Sequence, residues 1–245
     1  TGDYNVAVGK DALKYTTTSS NNVAVGYDAL ESNTTGTQNV AVGALALDDS
    51  TTASFNTAVG YIALGANTEG ANNTAVGRNA AKASTTASNI TAVGYNALNV
   101  NTASGNTAVG ASALAANTSG SGNSAFGQSA LDANTTGNNN VAVGKDALGV
   151  NTTGDKNLAL GAFALDANTT ADDNTAVGYG ALTSNTTAAA NTAIGKGTLG
   201  NNTTGANNTA VGYQALDSNQ DGGQNVAVGY NCLGVNTASN NTAVG

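Results

Sequence analysis

The chain has 245 residues, a formal net charge of −8 at pH 7 and only 9% charged residues. It has no histidine and one cysteine, which excludes Ser-His-Asp and Cys-His nucleophile pairs, histidine-ligated or cysteine-based metal sites, and an internal disulfide. Seven basic residues in an acidic chain argue against binding to nucleic acid or anionic lipid, and no apolar run is long enough to insert into a membrane. We therefore expect no enzyme, no cofactor and no metal.

One internal repeat fills the chain. The tripeptide Ala-Val-Gly, or a close variant, ends at fifteen glycines from Gly9 to Gly245, with twelve intervals of 17 residues and two of 16. A 17-residue unit is too short for a helix pair, which needs about 33 residues. The sequence therefore predicts an all-β fold, a parallel β-solenoid of about 14 coils, as a single continuous array over residues 1–245. Positions below are counted from the repeat glycine as position 0, and residues at one position in successive units form a column.

The first element of each unit is a short strand ending at position −1. Position −1 is Val in twelve of fifteen units and is never polar, so we predict that it forms a ladder in the core, with position −3 beside it. Position −4 is Asn in fourteen of fifteen units, with Ile90 as the exception. This Asn is expected either to hydrogen-bond from coil to coil as a ladder or to close a turn through its own backbone.

Position −2 is Ala in all fifteen units. Side chains alternate along a strand, so if those at positions −1 and −3 point into the coil, this Ala side chain points outward. A solvated position would vary, as position +1 does, so the invariant methyl predicts close approach of another copy of the chain, in a homotrimer or a filament. The alternative is a coil so flat that position −2 packs inside it.

The second element is Ala-Leu at positions +3 and +4. Leu fills position +4 in thirteen of fourteen units, with Ala81 as the exception, and is predicted to form another core ladder. Cys232 replaces the usual Ala at +3 and is expected to be a small buried side chain. The Asn-Thr-Thr-Gly segment from +7 predicts an exposed turn, because both shortened units lose their residue there.

Tyrosines at position +1 are the candidate surface contacts, for a host-surface or glycan receptor. Only two of them occupy successive units, so no continuous aromatic strip is expected, and exposed tyrosine without a ligand is the alternative. The column comprises Tyr27, Tyr61, Tyr95, Tyr179, Tyr213 and Tyr230. The pairs Asp48-Asp49 and Asp172-Asp173 are interpreted as solvated charge, since the Gly-Gly-x-Gly-x-Asp calcium motif is absent.

Residues 73–77 (Asn-Thr-Ala-Val-Gly), 208–216 and 134–137 resemble the head repeats of YadA-type trimeric autotransporter adhesins. They are also similar to the Asn-Thr-Ala-Val-Gly-Tyr-x-Ala-Leu arrays of bacterial and phage tail-fibre-like proteins. The resemblance covers the whole chain. It implies a left-handed parallel β-roll, three chains side by side, an extracellular location on a cell surface or virion, and attachment as the function.

These observations predict a structural extracellular fibre, or an adhesin-type stalk or head segment, that mediates surface attachment or spacing as part of a longer fibre. The alternative is an ice-binding β-solenoid, because Thr fills position +8 in thirteen of fourteen units and would form a rank at a spacing of ~4.8 Å. Against this, the adjacent Thr at +8 and +9 would face opposite sides of a strand instead of forming a flat two-column array.

Overall fold

The computed structural model describes residues 2–245. In these residues the regular elements are fifteen three-residue β-strands, one before each repeat glycine, and no helix long and apolar enough to cross a bilayer occurs. The strands are β1 Val6–Val8, β2 Val23–Val25, β3 Val40–Val42, β4 Thr57–Val59, β5 Thr74–Val76, β6 Thr91–Val93, β7 Thr107–Val109, β8 Ser124–Phe126, β9 Val141–Val143, β10 Leu158–Leu160, β11 Thr175–Val177, β12 Thr192–Ile194, β13 Thr209–Val211, β14 Val226–Val228 and β15 Thr242–Val244.

The chain divides into two compact units, the described residues up to Gly122 with β1–β7, and Asn123–Gly245 with β8–β15. Within each unit, strands that follow one another in the chain pair in parallel, one repeat apart, as Ala24 with Ala41 and Ala159 with Ala176. Each unit is therefore a parallel β-solenoid, which confirms the predicted fold class. A single array over residues 1–245 stays a prediction.

A ribbon of tight turns follows each repeat glycine. The Ala29 amide donates to the Gly26 carbonyl at 3.5 Å, and the Glu31 amide donates to the Asp28 carbonyl at 3.3 Å. Asp28 and Leu30, at positions +2 and +4, have left-handed backbones with φ of 53° and 51°. A left-handed third residue is typical of a type II turn. The Leu30 amide points along the solenoid and donates to the next coil at 3.0 Å, so hydrogen bonds join the coils outside the strands as well.

The predicted faces of the strand were wrong. In β3, Ala41 at −2 is fully buried, whereas Val40 and Val42 are only half-buried and face outward. The predicted Leu ladder at +4 is confirmed, since Leu47 is fully buried as well. The physical reason is the narrow coil, whose interior has room beside the leucine for a methyl group at −2 but not for a larger side chain. The alternative of a flat coil with Ala inside is what the structure shows.

The other side of the coil interior is polar. The buried Asn39 at −4 accepts the Asn56 amide at 3.0 Å and donates its side-chain NH₂ to the Ala53 carbonyl at 2.8 Å. The predicted coil-to-coil ladder is thereby confirmed. A second ladder runs at +7, where Asn168 donates to Asn151 Oδ1 at 2.8 Å. The sequence placed this second Asn in an exposed turn, but it is buried because its amide must satisfy carbonyls that face the interior.

Candidate functional surfaces

The outward face of the strands is an uncharged stripe in both units. Its two columns, positions −3 and −1, contain only Val, Thr, Ser, Leu, Ile and Phe. Several of these side chains are well exposed: Phe126 is 42%, Leu160 48% and Ile194 40% exposed. In β2–β14 the Ala between the two columns is fully buried and adds no bulk to the stripe. We call positions −3 and −1 of the strands the strand face.

The six predicted tyrosines all lie on the surface in one column. Their exposure runs from 41% for Tyr213 to 75% for Tyr230. Tyr213 and Tyr230 stack with ring centroids 5.4 Å apart and planes 6° apart. Tyr27 lies alone between Lys10 and an alanine, with the Lys10 amine 5.1 Å from its ring centroid.

Basic residues fill gaps between the tyrosines. The Arg78 guanidinium lies 5.9 Å from the ring centroids of both Tyr61 and Tyr95. In the second unit the Lys196 amine lies 5.8 Å from Tyr179 and 6.0 Å from Tyr213. Cation–π contacts of this kind contribute about 0.5–1 kcal/mol at exposed sites. The column is thus a mixed aromatic and cationic ladder, which counting tyrosines alone did not reveal.

The two threonine columns differ in their hydrogen bonding. At +8, Thr152 Oγ1 donates to the Thr169 carbonyl at 3.0 Å, and Thr169 Oγ1 donates to the Thr186 carbonyl at 3.2 Å. Thr at +9, such as Thr170, is exposed. The +8 hydroxyls therefore donate hydrogen bonds to backbone carbonyls of the next coil. This argues against a flat array of free threonine hydroxyls.

One cluster in the first unit has metal-ligand geometry. Carboxylate oxygens of Asp11, Asp28 and Glu31 lie within 4.8 Å of one another. Lys14 Nζ is 2.9 Å from Glu31 Oε1, and Lys10 Nζ is 3.1 Å from Asp11 Oδ2. The hydrogen bond from Lys10 also lowers the pKa of Asp11. Ammonium groups thus already pair with two of the three carboxylates that a cation would need.

The acidic pairs are less uniformly solvated than the sequence suggested. Asp49 is exposed, but Asp48 is half-buried beside Leu45 and Ile62, and burial, reinforced by the charge of Asp49, raises the pKa of Asp48 to about 6. Asp172 is exposed yet accepts the Asp155 amide at 2.7 Å. Burial also raises the pKa of three other carboxyls at position +5. These are Asp132, Asp166 and Asp217.

A small cleft opens in the second unit beside Gly200. Its volume is about 230 Å³, and its lining includes Tyr179, Lys196 and Asp217. The floor is formed by glycine at +2 in two successive coils, Gly180 and Gly197, together with Gly200 at +5. Sequence analysis missed this Gly200 cleft, although three glycines in variable columns of adjacent units were the signal for it.

No family model, curated protein or solved structure matches the chain. The resemblance to adhesin heads and tail-fibre arrays therefore stays a prediction.

Proposed function

We propose that the protein is a structural segment of an extracellular fibre, which associates with further copies of itself through the strand face and mediates surface attachment or spacing. The observation that carries the proposal is the outward Val and Thr stripe, which has no charged residue in any of the fifteen strands. An exposed surface so depleted of charge is typical of the core of an interface.

A second copy of this chain is the partner that fits the stripe best. Within each unit, every strand pairs with the strand one repeat further along the chain, at the ~4.8 Å spacing of a sheet. The stripe therefore repeats once per strand. A surface with the same spacing can match it at every strand, and another copy has that spacing by construction. In a homotrimer or filament, each copy would cover the strand face of its neighbour.

The strand face of each unit is large enough to form a substantial part of an interface. Seven or eight three-residue strands at ~4.8 Å spacing and ~3.3 Å per residue give each unit a strand face of roughly 350 Å². The face of one unit is thus somewhat under half of the ~800 Å² that each partner buries in a standard interface. A cell-surface or virion location belongs to the same proposal, because a repetitive scaffold of constant spacing suits spacing and attachment.

The test is the mass in solution, measured by sedimentation equilibrium, together with electron-microscope images. We expect a trimer or a filament for the unmodified protein. The variant Val177→Glu/Val211→Glu puts charge on two half-buried residues of the strand face and should yield a folded monomer. Its matched control, Thr170→Glu/Thr204→Glu, adds the same charge at exposed +9 positions and should keep the assembly.

A monomeric unmodified protein would overturn the proposal, as would a strand-face variant that stays assembled. Thermal hysteresis of the freezing point separates the ice-binding alternative. We expect none, because the +8 hydroxyls donate to the backbone. A monomer with thermal hysteresis would favour ice binding instead.

A further inference from the structure

The Gly200 cleft has a size suited to one small ring. Its volume of about 230 Å³ lies below the ~300–1,000 Å³ of sites for drug-sized ligands. Tyr179 forms one wall and is 56% exposed, so much of its ring can be touched from outside. The ring of Phe163 meets Tyr179 edge-on at 5.7 Å and 77°, which holds this wall in place.

The glycines keep the cleft open and are not required by the backbone. Gly180 and Gly197 have φ of 61° and 64°, but Asp146 and Gln214 adopt φ of 53° at the same repeat position. A Cβ atom built on Gly180 would meet nothing within 4 Å. Since other coils carry a side chain here without conflict, the glycines provide space for a ligand.

Two opposite charges line the cleft without pairing. The Lys196 amine lies between the rings of Tyr179 and Tyr213, and no ion pair to Lys196 or Asp217 occurs among residues 2–245. Asp217 Oδ1 lies beside Gly200, 2.8 Å from the position that a Cβ atom on Gly200 would occupy. One side of the cleft therefore needs a hydrogen-bond acceptor and the other needs a donor.

The chemistry of these groups selects the ligand. A carboxylate only accepts hydrogen bonds and an ammonium only donates them, whereas a hydroxyl group does both. A single charge on the ligand would be attracted by one of these groups and repelled by the other, so the pair gives no net preference for an anion or a cation. A ring with several hydroxyls satisfies both groups and can pack its C–H groups against Tyr179 and the glycine backbone.

We propose that the Gly200 cleft binds one neutral pyranose sugar, as a free monosaccharide or as the end of a glycan. This deepens the proposed function by naming a surface ligand. The cleft is formed by one chain and does not include the strand face, so a failure of sugar binding and a failure of self-association are distinguishable.

The test is saturation-transfer NMR on the full chain with the methyl pyranosides of glucose, galactose, mannose and N-acetylglucosamine. We expect saturation of at least one sugar. Gly200→Leu fills the cleft and should abolish the signal, while the matched control Gly149→Leu changes the same repeat position beside Asp166 and should keep it. Asp217→Asn should weaken binding about tenfold, as expected for loss of a hydrogen bond to a charged group, and Asp166→Asn should leave it unchanged.

Absence of saturation for all four sugars would overturn the proposal. Equal binding by Gly200→Leu and the unmodified chain would do so too. Free glycine serves as a zwitterionic probe, and its binding in place of the sugars would show that the charges select an amino acid instead. If Gly200→Leu alters the circular dichroism spectrum, the comparison of Asp217→Asn with Asp166→Asn decides.

Discussion

Leucine at position +4 shows that burial overrides backbone preference at a single residue. Apart from Ala81, the residues of this column are leucines with φ between 50° and 53°, a left-handed conformation that costs an L residue roughly 1–2 kcal/mol. In return each side chain turns into the coil, where Leu30 and Leu148 are fully buried. Rules of turn chemistry assign such angles to Gly, Asn or Asp, so a leucine at this position does not predict the conformation.

Because neighbouring residues of the strand face opposite ways, they should differ in how well they tolerate a larger side chain. Ala176→Leu adds a large side chain at a fully buried position and should destabilise the fold by about 1–3 kcal/mol through overpacking. Val177→Leu, on the half-buried outward side, adds its larger side chain outside the coil and should change the stability of the single chain by less than about 0.5 kcal/mol. Denaturant unfolding measures both values. Equal destabilisation would mean that the two faces are assigned incorrectly.

The half-buried Asp48 makes stability depend on pH. Its pKa is about 6 in the fold against 3.8 for the free group, so the stability it contributes is full below pH 3.8 and is lost as the pH rises through 6. Asp48→Asn removes this titration and should raise the Tm at pH 7.5, with a gain that disappears near pH 4. Thermal melts at both pH values check this. The exposed Asp173→Asn serves as the control and should not show that pattern.

At the scale of the element, the asparagine ladders tie each coil to the next. Asn157 accepts the Asn174 amide at 3.0 Å, so Asn157→Leu leaves that buried backbone group without its acceptor. We expect a loss of about 1–3 kcal/mol in the free energy of unfolding. Asn201→Leu, at an exposed position, is the matched substitution and should cost little. A similar loss in both variants would show that the ladder does not contribute through its hydrogen bonds.

The sequence predicted the element type and its register, because the 17-residue period leaves one coil per unit as the only arrangement that repeats. It also predicted the Asn ladder and the Leu ladder. It failed on the direction of Val42 and Ala41, since alternation alone says that the two face opposite ways but not which faces inward. The missing information was the width of the coil, which the second buried Asn column helps to set.

The Gly200 cleft could not be predicted from the sequence for a related reason. A repeat is defined by what its units share, whereas the cleft arises where neighbouring units depart from that pattern together. The Tyr column was predicted correctly as exposed, but the role of Arg78 between two rings depends on the distance between coils. Such contacts can be recognised only when the residues at one repeat position are compared between successive coils.

At the scale of the whole molecule, a protease should cleave the chain where contacts between coils have been lost. Leu148→Asp buries a charge at a fully buried position and should open the coils around it, so that the backbone at the exposed Lys145 and Lys156 becomes accessible to trypsin. The exposed Thr136→Asp adds the same charge without opening a coil and should resist like the unmodified chain. Mass spectrometry of the first fragments identifies the cut. Early cleavage far from these lysines in the Leu148 variant would contradict local uncoupling.

The left-handed leucines also bear on how such a protein forms. An isolated coil would adopt those unfavourable angles while its Leu30 amide lacked the acceptor that the next coil provides. The first two coils must therefore assemble together against a high barrier, and every later coil can add to a ready template. We expect folding with a slow nucleation step and fast growth from a finished edge, so that lengthening the chain by whole units would hardly change the time needed to start.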